Sequence, residues 1–137
     1  MERTEIVLAV VRCGGQICLA RRSTSVATGR GLWSVVTGYL ELDTEPLTQA
    51  WTELEEELGL GGTELSLVRR LEPVPLTSPG SGKQFLVYPF LFESEHRPTL
   101  VLNWEHEEAQ WADPSRLDAP DGVSWQLPLV RALLAGG

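Results

Sequence analysis

The segment that most constrains the fold is GYLELDTEPLTQAWTELEEELGL, residues 38–60, because it combines a helix start, a helix stop and a run of acids. Pro46 suits the first turn of a helix, and Gly59 is typical of the residue that ends one. The preceding LWSVVTG, residues 32–38, is rich in β-branched side chains and predicts a strand that ends at the first glycine of the segment. The segment therefore predicts a strand, a loop and a helix over residues 46–58.

The predicted helix separates an apolar stripe from an acidic patch. At about 100° per residue, four apolar side chains fall on one stripe, which must face the core. These are Leu47, Trp51, Leu54 and Leu58. Glu53, Glu56 and Glu57 gather on another side, away from that stripe, whereas Glu55 is expected on the ordinary surface. Hard oxygen ligands suit Mg²⁺ or Mn²⁺. On the helix alone, a solvated acidic face explains the pattern as well.

The rest of the chain predicts a mixed sheet flanked by helices, in one domain over residues 1–137. Gly14 and Gly15 read as the turn of a hairpin, which pairs Cys13 with Gln16 and offsets Cys18, so both thiols are expected buried and reduced. Further strands are expected at residues 6–11, 16–21, 65–74, 84–93 and 109–117, the last turning into a short helix, with a loop at 75–83 and a final helix at 123–134.

Charge and hydropathy narrow the classes of partner. The net charge is -8, which argues against passive binding to nucleic acid polymers or anionic membranes. The sequence contains no run of about 20 apolar residues, so no transmembrane helix is predicted. The first residues show no signal-peptide pattern. We therefore expect a cytoplasmic protein whose partner is a small molecule.

The spacing of the acids resembles the signature of the Nudix hydrolases, G-x5-E-x7-R-E-U-x-E-E-x-G-U, where U is aliphatic. Seven of its nine specified positions match: Gly38, Glu53, Leu54, Glu56, Glu57, Gly59 and Leu60. Two positions depart, with Thr44 in place of the first Glu and Thr52 in place of the Arg. EHEEAQWADPSRL, residues 105–117, is similar to the later acidic segment of the family, which a tryptophan-bearing strand follows.

The resemblance implies an α/β/α sandwich with a mixed sheet and a pyrophosphohydrolase that needs Mg²⁺ or Mn²⁺. Its substrates would be nucleoside diphosphate derivatives or related nucleotides, in which water attacks phosphorus. Glu56 and Glu57 would bind the metal, and Glu53 would be a further ligand or the catalytic base. A later acid is expected to assist, with Glu108 closest to the family pattern and Glu105 as an alternative, together with Glu107.

Other candidates come with ordinary explanations. Arg21 or Arg22 could bind a substrate phosphate, although either could equally be an ordinary charged surface residue. Gly38, the first residue of the box, is the third candidate for substrate binding. His106 lies in the acidic segment, where we expect it to be exposed to solvent.

The two departures leave the level of activity open. Thr52 cannot orient a carboxylate as the family's arginine does, and such a loss typically costs about 10–100-fold in metal affinity or activity. Glu45 replaces the missing acid only if the loop turns it inward. A slowed pyrophosphohydrolase is the first hypothesis, and a weak or inactive Nudix-fold nucleotide-binding or regulatory domain is the second. A homodimer is compatible with either, since most oligomers are symmetric.

Overall fold

The computed structural model describes residues 3–78 and 81–135. Its α-helices and strands, in chain order, are β1 Thr4–Cys13, β2 Gln16–Arg22, β3 Trp33–Ser34, β4 Val36–Tyr39, α1 Pro46–Leu58, β5 Ser66–Arg70, β6 Val74–Thr77, β7 Gln84–Glu93, β8 His106–Ala112 and α2 Leu127–Leu134. Two 3₁₀ helices, Pro114–Asp118 and Ser124–Gln126, connect β8 to α2.

The strands form one mixed sheet built around β1. Strand β1 pairs parallel with β7 and antiparallel with β2 and β4. Strand β7 also carries β5 and β6, and β2 carries β3 and β8, all of them antiparallel. Because β4 and β8 attach to the central strands β1 and β2, the segments next to them reach a common region of the molecule.

Helices cover both faces of the sheet, which gives the predicted α/β/α sandwich. Alternate residues of β1 point to opposite faces. Val7, Ala9 and Val11 pack in the cluster that includes Leu54 and Leu58 of α1. On the other face, Ile6, Leu8 and Val10 pack with the apolar residues of α2, including Val130 and Leu133.

Several elements follow the prediction closely. Helix α1 runs from Pro46 to Leu58, and Gly59 ends it with a left-handed φ of 70°. Gly14 and Gly15 have φ of 58° and 83°, the pair of positive values that a tight hairpin turn needs, and Cys13 pairs with Gln16. Both cysteines are free and buried.

Other boundaries were predicted wrongly because tertiary pairing sets them. The strand expected over residues 32–38 is divided into β3 and β4, which pair with different partners, β2 and β1. Residues 74–77 form β6, although 75–83 was expected as a loop, and Pro75 is tolerated because β6 pairs only with β7 and lies at an edge. Pro79 and Gly80 of that loop lie outside the described residues.

The ends of the chain's last elements also differ from the prediction. Strand β8 begins three residues early, at His106 rather than 109, and the expected final helix begins as a 3₁₀ turn before α2. Among the helices in the described residues, none is long and apolar enough to cross a membrane.

Candidate active site

The loop before α1 places Glu45 at the N-terminal end of this helix. Glu45 is the N-cap residue, and its carboxylate accepts hydrogen bonds from the N–H groups of Leu47 and Thr48 at 2.8 and 3.3 Å. The same carboxylate lies 3.3 Å from the Arg70 guanidinium. Glu53 lies eight residues further along the chain, which is about 12 Å along the helix axis. Glu45 therefore stabilises the helix start, and both its capping bonds and its ion pair with Arg70 engage its carboxylate there.

A polar row on α1 faces the sheet edge rather than solvent. Gln49, Glu53 and Glu57 are spaced four residues apart, so they share one side of the helix. Gln49 and Glu57 are each only 2% exposed, Glu53 is half-buried, and Glu56 is exposed. The three acids were expected together on a side of the helix away from the apolar stripe, and that expectation did not include the burial of Glu57. Residues from outside the helix, invisible to helical periodicity, cover its side chain.

The carboxylate of Glu53 lies directly over the backbone of β4. A Cβ atom added at Gly38 would overlap the Oε1, Cδ and Cγ atoms of Glu53. Gly38 is in extended conformation and needs no unusual φ, so what requires glycine there is space. The structure thus gives Gly38 a physical role next to an acid, while its predicted contact with substrate remains a prediction.

Crowding perturbs two of the acids. Burial, followed by the charges of Glu105 and Glu53, raises the pKa of Glu57 to about 9. Burial, followed by the charges of Glu56 and Glu105, raises the pKa of Glu53 to about 7. These carboxylates are close enough to repel one another in surroundings of low polarity. The cluster formed by Glu53, Glu56, Glu57 and Glu105 is hereafter called the acid cluster.

Glu105 is held in place by its own loop. The Asn103 amide oxygen accepts from the Glu105 N–H at 3.1 Å, and the Asn103 amide nitrogen lies 3.4 Å from the Glu105 carboxylate. Ser23 ties the same loop to the end of β2, because its N–H donates to the Glu105 carbonyl and its hydroxyl to the Trp104 carbonyl. Glu105 therefore faces α1 from a fixed position.

The contacts of Glu108, the predicted assisting acid, lie elsewhere. Its carboxylate is 2.7 Å from the Arg21 guanidinium, and that of Glu107 is 3.2 Å from Arg21 Nε. Glu105 is among the main charges that raise the pKa values of Glu53 and Glu57, whereas Glu107 and Glu108 are not. Glu105 is the better candidate on this geometry.

Arg21 and Arg22 also differ in whether they act on the acid cluster. Arg21 is engaged by Glu107 and Glu108, with its guanidinium 6.0 Å from the Trp33 ring. Arg22 donates to the Thr28 carbonyl at 2.9 Å, and its charge lowers the pKa values of Glu57 and His106. Of the two predicted phosphate ligands, Arg22 is the one whose charge acts on the acid cluster.

His106 is buried, contrary to expectation. Its Nδ1 lies 3.7 Å from Glu57 Oε1 and has no hydrogen-bond partner among the described residues. Burial, followed by the charge of Arg22, lowers the pKa of His106 to about 4, so the ring is neutral near pH 7. It pairs with Arg22 across β2 and β8, a long-range contact that the local sequence does not reveal.

The donors of the acid cluster fit a divalent cation. Carboxylate oxygens are what Mg²⁺ and Mn²⁺ prefer, and a cation would relieve the repulsion that raises the pKa values of Glu53 and Glu57. Within residues 3–78 and 81–135, no three His, Cys, Asp or Glu side chains are grouped closely enough to hold a metal ion without moving. Mg²⁺ usually keeps several waters and completes its coordination with substrate phosphates, so it does not need a preformed cage made by the protein alone.

Fold and site together define a class of protein, an α/β/α sandwich whose first helix carries a partly buried carboxylate cluster next to a glycine of the preceding strand. The family model described as NUDIX domain matches residues 1–133, so the chain belongs to the Nudix family and is a Nudix-type hydrolase. Among curated protein sequences, none is significantly similar to this chain.

Solved structures with the same fold are numerous but distant in sequence. The MutT protein from Methanosarcina mazei Go1 is 19% identical with a TM-score of 0.76, over 98% of this chain and 96% of that one. The E. coli dihydroneopterin triphosphate pyrophosphohydrolase is 16% identical with a TM-score of 0.79 over 100% of both chains. A C. elegans Ap4A hydrolase, solved as a binary complex, is 18% identical with a TM-score of 0.73, over 98% of this chain and 99% of that one.

Proposed function

We propose that this Nudix-type hydrolase cleaves a pyrophosphate link in a nucleoside diphosphate derivative or a related nucleotide, with Mg²⁺ or Mn²⁺ as cofactor. The observation that carries the proposal is the acid cluster, in which Glu53, Glu57 and Glu105 come close enough to raise pKa values. Such crowding is unfavourable for the bare protein, and a cation bridging the acids to a phosphorylated substrate would relieve it.

Glu53, Glu56 and Glu57 would hold the metal in this proposal. When bound, the metal supplies neutralisation of phosphate charge and a water of lowered pKa. Glu105, whose loop position is supported by hydrogen bonds to Asn103, would accept the proton of the attacking water. Arg22, whose charge acts on the same acids, would balance negative charge on the substrate phosphates.

Two structural neighbours bear names that guide the choice of substrates. One is a hydrolase of Ap4A and the other a pyrophosphohydrolase of dihydroneopterin triphosphate. Both names refer to small phosphorylated molecules, and the first to a nucleotide. A first panel therefore contains nucleoside diphosphate derivatives, dinucleoside polyphosphates and nucleoside or pterin triphosphates.

The test measures phosphate or nucleotide release from this panel with Mg²⁺ and with Mn²⁺, for wild type and two variants. Glu57→Gln removes a buried member of the acid cluster and should lower kcat by at least about 10–100-fold. Glu55→Gln is the matched control, since Glu55 is exposed on the same helix and should keep wild-type turnover.

A different outcome would favour the second hypothesis. If compounds of the panel stabilise wild type in thermal melts but none is hydrolysed, the chain is a nucleotide-binding or regulatory member of the family. Equal turnover by wild type and Glu57→Gln would move the chemistry away from the acid cluster. The cytoplasmic location and the homodimer stay predictions, which fractionation and solution mass measurements would test.

A further inference from the structure

A buried glutamine of α1, Gln49, lies at a position that the Nudix signature leaves unspecified. Gln49 lies on α1 one turn before Glu53, and its side chain is 2% exposed. A buried amide must find hydrogen-bond partners, because leaving it unpaired is costly. Its partners therefore tell what the residue does.

Both the oxygen and the nitrogen of the Gln49 side-chain amide have partners, and these contacts fix the orientation of the amide. Oε1 accepts a hydrogen bond from the Glu41 N–H at 3.1 Å. The N–H of Glu41 is a donor, so the amide nitrogen cannot take that position without a clash of donors. Nε2 is thereby directed toward Glu53 Oε1, 3.5 Å away, a distance at the long end of hydrogen bonding.

Glu53 is confined from two sides as a result. The missing Cβ of Gly38 leaves room beneath its carboxylate, and the Gln49 amide lies beside it along the helix. The same amide is anchored through Glu41 to the loop that joins β4 to α1. Gln49 thus couples the direction of Glu53 to the conformation of that loop.

Thr52, the residue at the signature's arginine position, takes no part in this arrangement. It is exposed, and its hydroxyl donates to the Thr48 carbonyl of its own helix at 3.1 Å. Glu53 therefore has a neutral amide as its partner in a chain that lacks the arginine.

We propose that Gln49 is a positioning residue that orients the Glu53 carboxylate toward the acid cluster, in place of the arginine that Thr52 replaces. The proposal rests on the proposed function in one respect, namely that Glu53 is a metal ligand. It predicts that losing the amide weakens metal binding and slows turnover, while substrate binding away from the metal is kept.

The chain offers a matched control in Gln126. It too is 2% exposed, accepts from a backbone N–H, that of Val35 at 3.0 Å, and donates from its amide nitrogen to a side chain, Ser34 Oγ at 3.3 Å. It lies on the other face of the sheet, in front of α2. Loss of its amide disturbs the fold in a comparable way without touching Glu53.

The experiment compares Mn²⁺ binding, measured by the EPR signal of free Mn²⁺, in wild type, Gln49→Leu and Gln126→Leu. We expect Gln49→Leu to raise the Kd for Mn²⁺ by about 10–100-fold and Gln126→Leu to leave it unchanged. On a substrate of the panel, Gln49→Leu should lower kcat by a similar factor, with a smaller change in KM. Adding Thr52→Arg to Gln49→Leu should recover part of the Mn²⁺ affinity, which a merely structural role for Gln49 does not predict.

The outcomes separate this proposal from the proposed function. A folded Gln49→Leu protein that binds Mn²⁺ as wild type does would overturn the positioning role. Should that variant fail to fold, Gln49→Asn, whose shorter amide cannot reach both partners, replaces it with the same expected direction. If wild type binds Mn²⁺ but hydrolyses nothing, the hydrolase proposal fails and the Mn²⁺ comparison still decides on Gln49. If wild type binds no Mn²⁺, both proposals fall.

Discussion

At the scale of single residues, the site depends on side chains that are small or uncharged as much as on the acids. Gly38 leaves the volume that the Glu53 carboxylate occupies, Gln49 offers it an amide, and Asn103 fixes Glu105. Each of these residues acts on the direction of a carboxylate. Because a carboxylate that points away from a metal contributes nothing to its binding, small changes at such positions should affect function more than stability.

Gly38→Ala gives a sharp test of this view. The new Cβ overlaps the end of a flexible side chain rather than backbone, so Glu53 can swing away at little cost to the fold. We expect the free energy of unfolding to fall by less than about 1–2 kcal/mol, whereas Mn²⁺ affinity and kcat fall by about 10–100-fold. Urea melts and Mn²⁺ titrations measure the two effects.

The control for that substitution is Gly62→Ala. Gly62 is exposed, and a Cβ added there meets no atom within 4 Å. It should leave both stability and metal binding close to wild type. A Gly38→Ala protein with unaltered Mn²⁺ affinity would show that Glu53 need not lie over β4 to serve the site.

At the scale of elements, the unit from β4 to α1 separates helix stability from chemistry. The start of α1 is secured by Glu45, whose carboxylate caps the Leu47 and Thr48 N–H groups and faces Arg70. The acids that face the sheet edge begin two turns later. The helix therefore uses one carboxylate for its own start and keeps the others for the site.

Glu45→Ala should consequently destabilise the folded protein without lowering its kcat. Loss of an N-cap costs about 0.5–2 kcal/mol, and the exposed pair with Arg70 adds little. We expect unfolding in urea at lower concentration, with kcat and Mn²⁺ affinity unchanged. Glu45→Asp keeps a capping side chain and should recover most of the stability. A large drop in kcat for a folded Glu45→Ala protein would instead mean that Glu45 serves in place of the acid absent at Thr44.

The same unit shows which structure could be predicted from sequence. The bounds of α1 followed from Pro46 and Gly59, because those residues act on the backbone next to them. The burial of Glu57 could not be predicted, since groups that act on it, Glu105 through its charge and His106 through close approach, are far away in the chain. Gln49 carried one readable signal, its place four residues before Glu53. Its bond to the Glu41 N–H depends on how the loop folds.

At the scale of the whole molecule, the sheet brings two distant segments to one place. Strand β4 pairs with β1 and leads into α1, while β8 pairs with β2 and brings its first residue, His106, and the preceding Glu105 to the same face. The pairing Arg22↔His106 lies at the end of β2, where Arg22 also acts on Glu57. The topology thus gathers the carboxylates of the acid cluster and buries that of Glu57, and this should be visible in the stability of the entire protein.

The metal-free protein should therefore lose stability as pH rises from 7 to 9. Glu57 has its pKa raised from 4.5 to about 9 in the folded state, so between these pH values the carboxyl is ionised in the unfolded chain but protonated in the folded protein, and unfolding releases that proton. Unfolding coupled to proton release becomes easier as pH rises, by at most about 1.4 kcal/mol per pH unit for one proton. Glu53 acts in the same direction up to about pH 7. His106, with a lowered pKa of about 4, destabilises the fold only at pH values below 6.5, outside the window.

Glu57→Gln isolates this effect, because the amide is neutral at every pH. In urea melts with EDTA, the variant should be more stable than wild type at pH 8–9 and should show a flatter dependence on pH. Glu55→Gln, on the exposed side of α1, should follow wild type. With Mn²⁺ in place of EDTA, the order should reverse, since a cation binds the ionised carboxylate and its stabilisation grows with pH. Parallel pH profiles for wild type and Glu57→Gln without metal would show that Glu57 is ionised in the folded protein and that the acid cluster is more open to water than its burial indicates.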